Sequence, residues 1–460
     1  MAAGKSEADS VNVPTANQSA AASAKFVRDQ IPSGGLFAGQ EWRISPAPFL
    51  LGAELAKELE TLGRVLLQFN RAINLLYRKS VEGKQPEWIA HWLDQGKPAE
   101  LVELQRHSSF KNEIPRVIRP DILLTENGFS ITELDSVPGG IGLTAWLGTT
   151  YSELGTGNAE RGDGNLIGGA DGMLRGFESI FGDAKNVHIV VSEEAASYRP
   201  EMQWVAEQIG DSKFQVQDSK FSDFKDNVSV YRFFELFDLA NVSNAKQIFQ
   251  RASEKRIRLT PPPKPIFEEK LLFALLWNRN LREFWRQELG ESFLARLQKV
   301  IPYTWVVDPT PLPPQGAIPE LNLTDWQQLK NLSQRERELI LKISGFSELA
   351  WGSRGVHLGS DLSQAEWSAA VDQALTCFER SPFVLQRFHK SKIVEANWFD
   401  FEKNELVPMQ GRARLCPYYF VGGEGDSARA NLGGVLATIV PADKKLVHGM
   451  RDAILAPCSV

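Results

Sequence analysis

Residues Arg119 to Gly140 read Arg-Pro-Asp-Ile-Leu-Leu-Thr-Glu-Asn-Gly-Phe-Ser-Ile-Thr-Glu-Leu-Asp-Ser-Val-Pro-Gly-Gly. Two strand-like stretches flank an Asn-Gly pair, which is the pattern of a β-hairpin. On a regular second strand Phe129, Ile131, Glu133 and Asp135 share one face, consecutive members being about 6.5–7 Å apart. Two carboxylates at that spacing on an otherwise apolar face raise each other's pKa unless a cation lies between them. A hard divalent ion such as Mg²⁺ takes a couple of carboxylates and completes its shell with phosphate oxygens. Asp121 joins the pair only if it projects from the same face. A two-residue Asn127-Gly128 turn puts it on the wrong one. A three-residue loop, Glu126-Asn127-Gly128, sets Thr125 opposite Phe129 and Asp121 opposite Glu133, with Gly128 as the bulge. The expectation is therefore the three-residue loop. A solvated pair on an exposed strand is the plainer account of the segment taken alone.

Other segments carry cations. Phe267-Glu-Glu-Lys270 follows a Pro-rich break and opens a helix. Strand-like Leu339-Ile-Leu-Lys342-Ile leads into Gly345, Gly352, Ser353, Arg354 and Gly355. A lysine ending a strand beside a Gly loop places a cation on phosphates while backbone N–H groups approach closely. Taken alone, such a loop reads as an ordinary turn. Phe383-Val-Leu-Gln-Arg-Phe388 is an apolar strand. In Gln410-Gly-Arg412-Ala-Arg414 two arginines share a strand face, which by itself suits surface salt bridges.

The elements that position these residues follow from hydrophobic spacing. Leu55, Leu59, Leu62, Leu66, Phe69, Ile73 and Leu76 recur at three- and four-residue steps and mark a long amphipathic helix. Glu87 to Leu93 is a second helix with Trp88 and Trp92 on one face; both features read as core packing. Strands are expected over Asn186 to Ser192, Phe214–Gln217 and Val228–Phe234, with a helix through Gln203 to Ile209. That alternation makes an α/β unit with a parallel sheet, closed by Pro261–Pro265. A second Pro-rich stretch spans Pro309–Pro319. From about Leu339 short strands alternate with Gly-rich turns. Residues 1–25, rich in Ala, Ser and Asn, read as a disordered tail. The division expected is this tail, then 26–160 with the helices and hairpin, 161–265 as the α/β unit, and 266–460 as the lysine-bearing remainder.

The 460 residues carry 51 Lys+Arg against 57 Asp+Glu, a net charge of −6, which argues against a nucleic-acid binder. Apolar runs fall far short of the ~20 residues that span a bilayer, and no secretory signal precedes them, so the reading is cytoplasmic. Three cysteines and six histidines, scattered, exclude a zinc framework.

As an ordered set, these segments resemble the ATP-grasp superfamily, an α/β (α+β) fold, over most of the chain from about 110 onward. The order is circularly permuted, with the metal hairpin first, and is similar to glutathionylspermidine synthetase and eukaryotic-type glutathione synthetase. In that pattern the tail segment Arg429-Ala-Asn431-Leu-Gly-Gly434 looks like the small-residue loop that normally precedes the hairpin. The resemblance implies Asp121, Glu133 and Asp135 as metal ligands, Asp135 standing where Asn is usual and so asking for two Mg²⁺ ions. It implies Lys270 and Lys342 on ATP phosphates, with Ser353 and Gly355 in the phosphate loop. Gln386, Arg387 and Phe388 match the adenine hinge, without the acidic residue often found there. The 161–265 unit matches the pre-ATP-grasp domain, whose Tyr198-Arg199 resembles a carboxylate-binding arginine, and Asn431 joins the substrate side.

The implied reaction joins a small-molecule carboxylate to an amine through an acyl phosphate. It needs charge neutralisation and alignment rather than a protein nucleophile. Arg354 would hold phosphate oxygens, and Arg412 or Arg414 the tetrahedral intermediate. Two alternatives stay open: an ATP-dependent phosphotransferase, and a nucleotide-binding scaffold without catalysis.

Overall fold

Leu59, Leu62, Leu66, Phe69, Ile73 and Leu76 form one fully buried stripe along the 29-residue helix Ala53–Val81. In the computed structural model this stripe packs on one face of a seven-stranded sheet. The structure describes residues 16–34, 37, 42–155, 165–210, 212–311, 318, 320–350, 354–445, 447 and 452–460. The sheet runs in the order Phe49–Leu50, Ile454–Ser459, Arg429–Pro441, Glu405–Gly422, Val117–Thr125, Gly128–Asp135, with Val394–Asp400 paired to the far end of Glu405–Gly422. Its other face is covered by the helices Ile141–Gly155 and Gly172–Ser179. The Ile141–Gly155 helix is apolar almost all round, as a helix enclosed on both sides must be. Because both sheet faces are covered, Leu415–Val421 is buried at every position rather than at alternate ones.

A second sheet, Val356–Leu358, Leu339–Ile343, Phe383–Arg387 and Thr304–Val306, is antiparallel and carries Lys342 at its centre. A third is parallel, in the order Phe214–Asp218, Val187–Val191, Ser229–Phe233, Arg258–Thr260. The three strands expected there are present, and Arg258–Thr260 adds a fourth ahead of the Pro-rich segment.

Two expectations are corrected. The tail is not structureless through residue 25: the helix Ala16–Asp29 forms, and Ala20, Ala24 and Val27 bury a narrow stripe. A composition too poor for its own core suffices where the stripe docks on an existing one, and Ala is the best helix former. Residues 1–15 lie outside the described part. Arg429–Gly434 is not a loop but the start of the 13-residue strand Arg429–Pro441, because the 18-residue neighbour Glu405–Gly422 supplies a ladder along its whole length. Among the described residues no helix is long and apolar enough to cross a membrane.

Candidate active site

The hairpin closes differently from the expected loop. Thr125 pairs with Gly128 and Leu124 with Phe129, leaving a two-residue Glu126-Asn127 loop with Gly128 at φ +126°. Continued regularly, that register sets Asp121 against Thr132. Instead the register shifts between Asp121 and Ile122: Ile122 pairs with Ile131 but Asp121 with Glu133, so Thr132 is an extra, bulged residue. The bulge reverses the parity of the strand. Phe129 and Ile131 point into the core beneath the Ala53–Val81 helix, while Glu133 and Asp135 share the opposite face with Arg119 and Asp121. The carboxylates therefore do not lie on the apolar face that simple alternation assigned them.

Cations already occupy that face. Arg119 bridges Asp121 Oδ1 and Asp135 Oδ2, each at 3.0 Å, and donates to the Gly139 carbonyl at 3.2 Å. Arg414 reaches Asp121 Oδ2 at 3.2 Å, and the buried Cys416 thiol lies 3.5 Å from Oδ1. Burial opposes the charge on Arg119, yet Asp121 and Asp135 outweigh it and hold its pKa well up. Burial raises the Asp135 carboxyl, Arg119 counters it, and Glu133 adds to the rise. Among the described residues no three His, Cys, Asp or Glu side chains converge as a metal cage.

The two lysines arrive from separate segments. Lys270, just before the helix Leu271–Trp277, lies 2.5 Å from Glu133 Oε1 and donates to the Ala350 carbonyl at 3.3 Å. Lys342, on Leu339–Ile343, donates to Gln386 Oε1 at 3.0 Å and to the Thr132 carbonyl at 3.4 Å. The bulge thus turns a carbonyl towards Lys342. Burial lowers the Lys342 ammonium to about 8, partly offset by Glu133. Lys270 is likewise buried, but Glu133 keeps its pKa up.

The other expected residues divide. Gln386 is buried between Lys342 and Thr304 Oγ1 (3.1 Å), whereas Arg387 points outward to the Glu320 carbonyl (2.8 Å) and Phe388 is half-buried. The Gly355 carbonyl accepts from Ile343 N at 3.1 Å, and Arg354 beside it is exposed. Ser353 and Gly352 lie outside the described residues. Arg412 shares a strand face with Arg414 but is held away from the carboxylates by the carbonyls of Ser391 and Ala442. Asn431 sits opposite Phe420, four residues along the strand from Cys416, and is exposed. Arg199 pairs with Glu193 at 3.1 Å.

Neighbouring Tyr198 is the residue that touches the hairpin end: a Cβ on Gly139 would lie 2.3 Å from its ring. Glu201, fully buried, accepts from Gly142 N at 3.0 Å and so occupies the N-terminus of the Ile141–Gly155 helix. Burial pushes this carboxyl up to about 7 although the backbone N–H groups of residues 140–143 oppose the rise. The sequence held no signal for Glu201. Arg119 was legible, since it stands two residues from Asp121 and so shares its face.

No protein-family model matches the chain, and no curated protein matches it by sequence. Among solved structures, the fold is similar to that of a glutathione synthetase-like effector from Globodera pallida in its apo form. The TM-score is 0.56 at 9% identity, with 96% of each chain covered. A structure described as a candidate gamma-glutamylcysteine synthetase from Methylobacillus flagellatus KT matches over 82% of this chain and 85% of its own at 12% identity. Its TM-score is 0.38.

Proposed function

We propose that the protein is an ATP-dependent ligase of the circularly permuted ATP-grasp type, joining a small carboxylate to an amine through an acyl phosphate. One observation carries this reading. Lys270 and Lys342 are 72 positions apart (342 − 270), yet they meet the adjacent residues Glu133 and Thr132 of one hairpin strand. Two buried ammonium groups converging beside carboxylates suit a polyphosphate with its counter-ion. The likeness to a glutathione synthetase-like fold supports the architecture.

The carboxylates fit a phosphate-bound Mg²⁺ in part. Asp121 has both oxygens engaged, by Arg119 with Cys416 and by Arg414, so we assign it to holding the arginines. Asp135 is likewise engaged at both oxygens, by Arg119 and by Val137 N (2.8 Å), so Glu133 remains, which matches an ion that takes one or two carboxylates and completes its shell from phosphates. With Arg119 balancing Asp135, charge no longer calls for the second ion that the sequence suggested. Glu133 would hold a Mg²⁺ ion, which when bound would neutralise phosphate charge. Lys270 and Lys342 would then bind phosphate oxygens, Gln386 would orient Lys342, and Arg414 would face the developing oxyanion.

A scaffold that binds nucleotide without turnover is the second reading, favoured by the cations that already neutralise each carboxylate. Phosphate release from ATP and Mg²⁺ in pools of amino acids and polyamines separates the two. Release requiring both a carboxylate and an amine supports the ligase; binding without release supports the scaffold.

A further inference from the structure

Behind the two lysines, three segments distant in sequence meet out of contact with solvent. Lys97 lies in the turn between the helices Glu87–Asp94 and Ala99–Arg106, and its Nζ is 2.6 Å from Glu269 Oε1. Both side chains are buried, 0% and 1% exposed. The other Glu269 oxygen accepts from the Ser344 hydroxyl, and that hydroxyl oxygen accepts from Leu271 N at 2.9 Å. Ser344 also fastens its backbone on both sides, its carbonyl accepting from Lys270 N (2.9 Å) and its N–H donating to the Pro382 carbonyl (2.8 Å). The turn itself is wedged in: Gly96 has φ +72°, and a Cβ there would lie 1.9 Å from the Arg380 carbonyl oxygen. Lys97 Nζ stands 5.8 Å from the centre of the Phe346 ring.

Glu269 adjoins Lys270 in the chain, and Ser344 stands two residues after Lys342. A single ion pair, delivered from the N-terminal helices, therefore fixes the backbone beside both lysines. Buried pairs of this kind contribute little net stability compared with well-packed apolar side chains. What they do supply is selection of one arrangement, because any shift of the three segments leaves a buried charge without its partner.

We propose that Lys97 and Glu269 are positioning residues for nucleotide binding: their ion pair sets Lys270 and the segment after Lys342 so that both ammonium groups face one phosphate chain. The proposal rests on the ATP reading given above, which assigns the N-terminal helices no part in the nucleotide site.

The test replaces the pair by apolar side chains of similar volume, Lys97→Met with Glu269→Met, which removes the link without leaving a lone charge. Amide hydrogen exchange is followed without nucleotide, and ATP affinity is measured by calorimetry for four proteins: wild type, the double variant, Lys342→Met, and all three substitutions together. Exchange at residues 268–271 and 342–346 should quicken at least tenfold in the double variant while the Glu405–Gly422 strand is unchanged. ATP affinity should fall at least tenfold in the wild-type background and by a clearly smaller factor when Lys342 is already Met, since only Lys270 is then left to be misplaced. Equal losses in both backgrounds, or unchanged exchange with intact ATP binding, overturn the positioning role. A wild-type protein that binds no ATP overturns the ligase reading and the phosphate role with it, whereas the exchange result still reports whether the pair holds the two segments. Should the double variant not fold, Ser344→Ala keeps the ion pair and removes the hydroxyl link. It is measured in the same two ways, with the same losses supporting or overturning the positioning role.

Discussion

Lys270 Nζ lies 2.5 Å from Glu133 Oε1, across a sequence separation that places one on the approach to a helix and the other on a hairpin strand. Next to it, the bulge at Thr132 exposes a carbonyl that receives Lys342. One irregular residue thus does two things. It turns Glu133 and Asp135 to the face that carries Arg119 and Asp121, and it gives the second lysine a carbonyl to donate to. The proposed phosphate site rests on this local break in the ladder.

Lys342→Met should weaken ATP binding at least tenfold, about 1.4 kcal/mol or more for a lost charge-assisted contact. Because burial holds the Lys342 ammonium near 8, the free protein loses that charge as pH rises. ATP affinity should therefore fall by about tenfold per pH unit above that point, with proton uptake on binding. Calorimetry in two buffers of different ionisation heat reads both effects. Unchanged affinity in the variant removes Lys342 from the site.

Arg119→Met should destabilise the fold by about 3 kcal/mol or more at pH 7, because it leaves Asp121 and Asp135 facing each other without their shared cation. Burial already raises Asp135, so once stranded this carboxyl takes up a proton more readily when folded than when unfolded. The cost should shrink as pH falls towards the ordinary carboxylate value of about 4 and grow as pH rises towards 7. Urea unfolding at the two pH values decides it, and an equally stable variant at pH 7 contradicts the bridging role.

Glu201→Gln carries a pH dependence of definite sign. The folded carboxyl titrates at about 7 against an ordinary value of 4.5. The native state therefore binds more protons between these values, and the group's contribution is complete below about 4.5 and lost as pH rises through about 7. The span is on the order of 3 kcal/mol. The Gln variant should match wild type near pH 4.5 and exceed it at pH 8, in melting temperature or urea midpoint. A variant less stable at pH 8 would show that the ionised carboxylate is preferred at the helix N-terminus.

Legibility in the sequence followed the range of each interaction. The Ala53–Val81 helix was plain because its stripe repeats within the helix itself. The hairpin was plain too, and its Asp121–Glu133 pairing was expected, but the device was not. Phe129, Ile131, Glu133 and Asp135 keep a two-residue period across the bulge, so alternation reads them as one face when they lie on two. Lys342 and Gln386 could be placed on strands by their apolar neighbours, whereas Arg412 and Arg414 looked equivalent because nothing local distinguishes Ser391 and Ala442 from Asp121. Lys97 and Glu269 are 172 positions apart (269 − 97) and carried no pattern at all. Pairings of that range are set by how whole layers dock.

The most direct test of the central claim is coupled phosphate release from ATP and Mg²⁺, with single carboxylates and amines drawn from active pools, compared between wild type and Lys270→Met. Release is expected only when a carboxylate and an amine are both present, with one amide formed per phosphate released. The variant should lose at least a hundredfold of that rate, on the order of one removed transition-state contact. ATP binding with no release in any combination, or release that Lys270→Met leaves unchanged, contradicts the ligase.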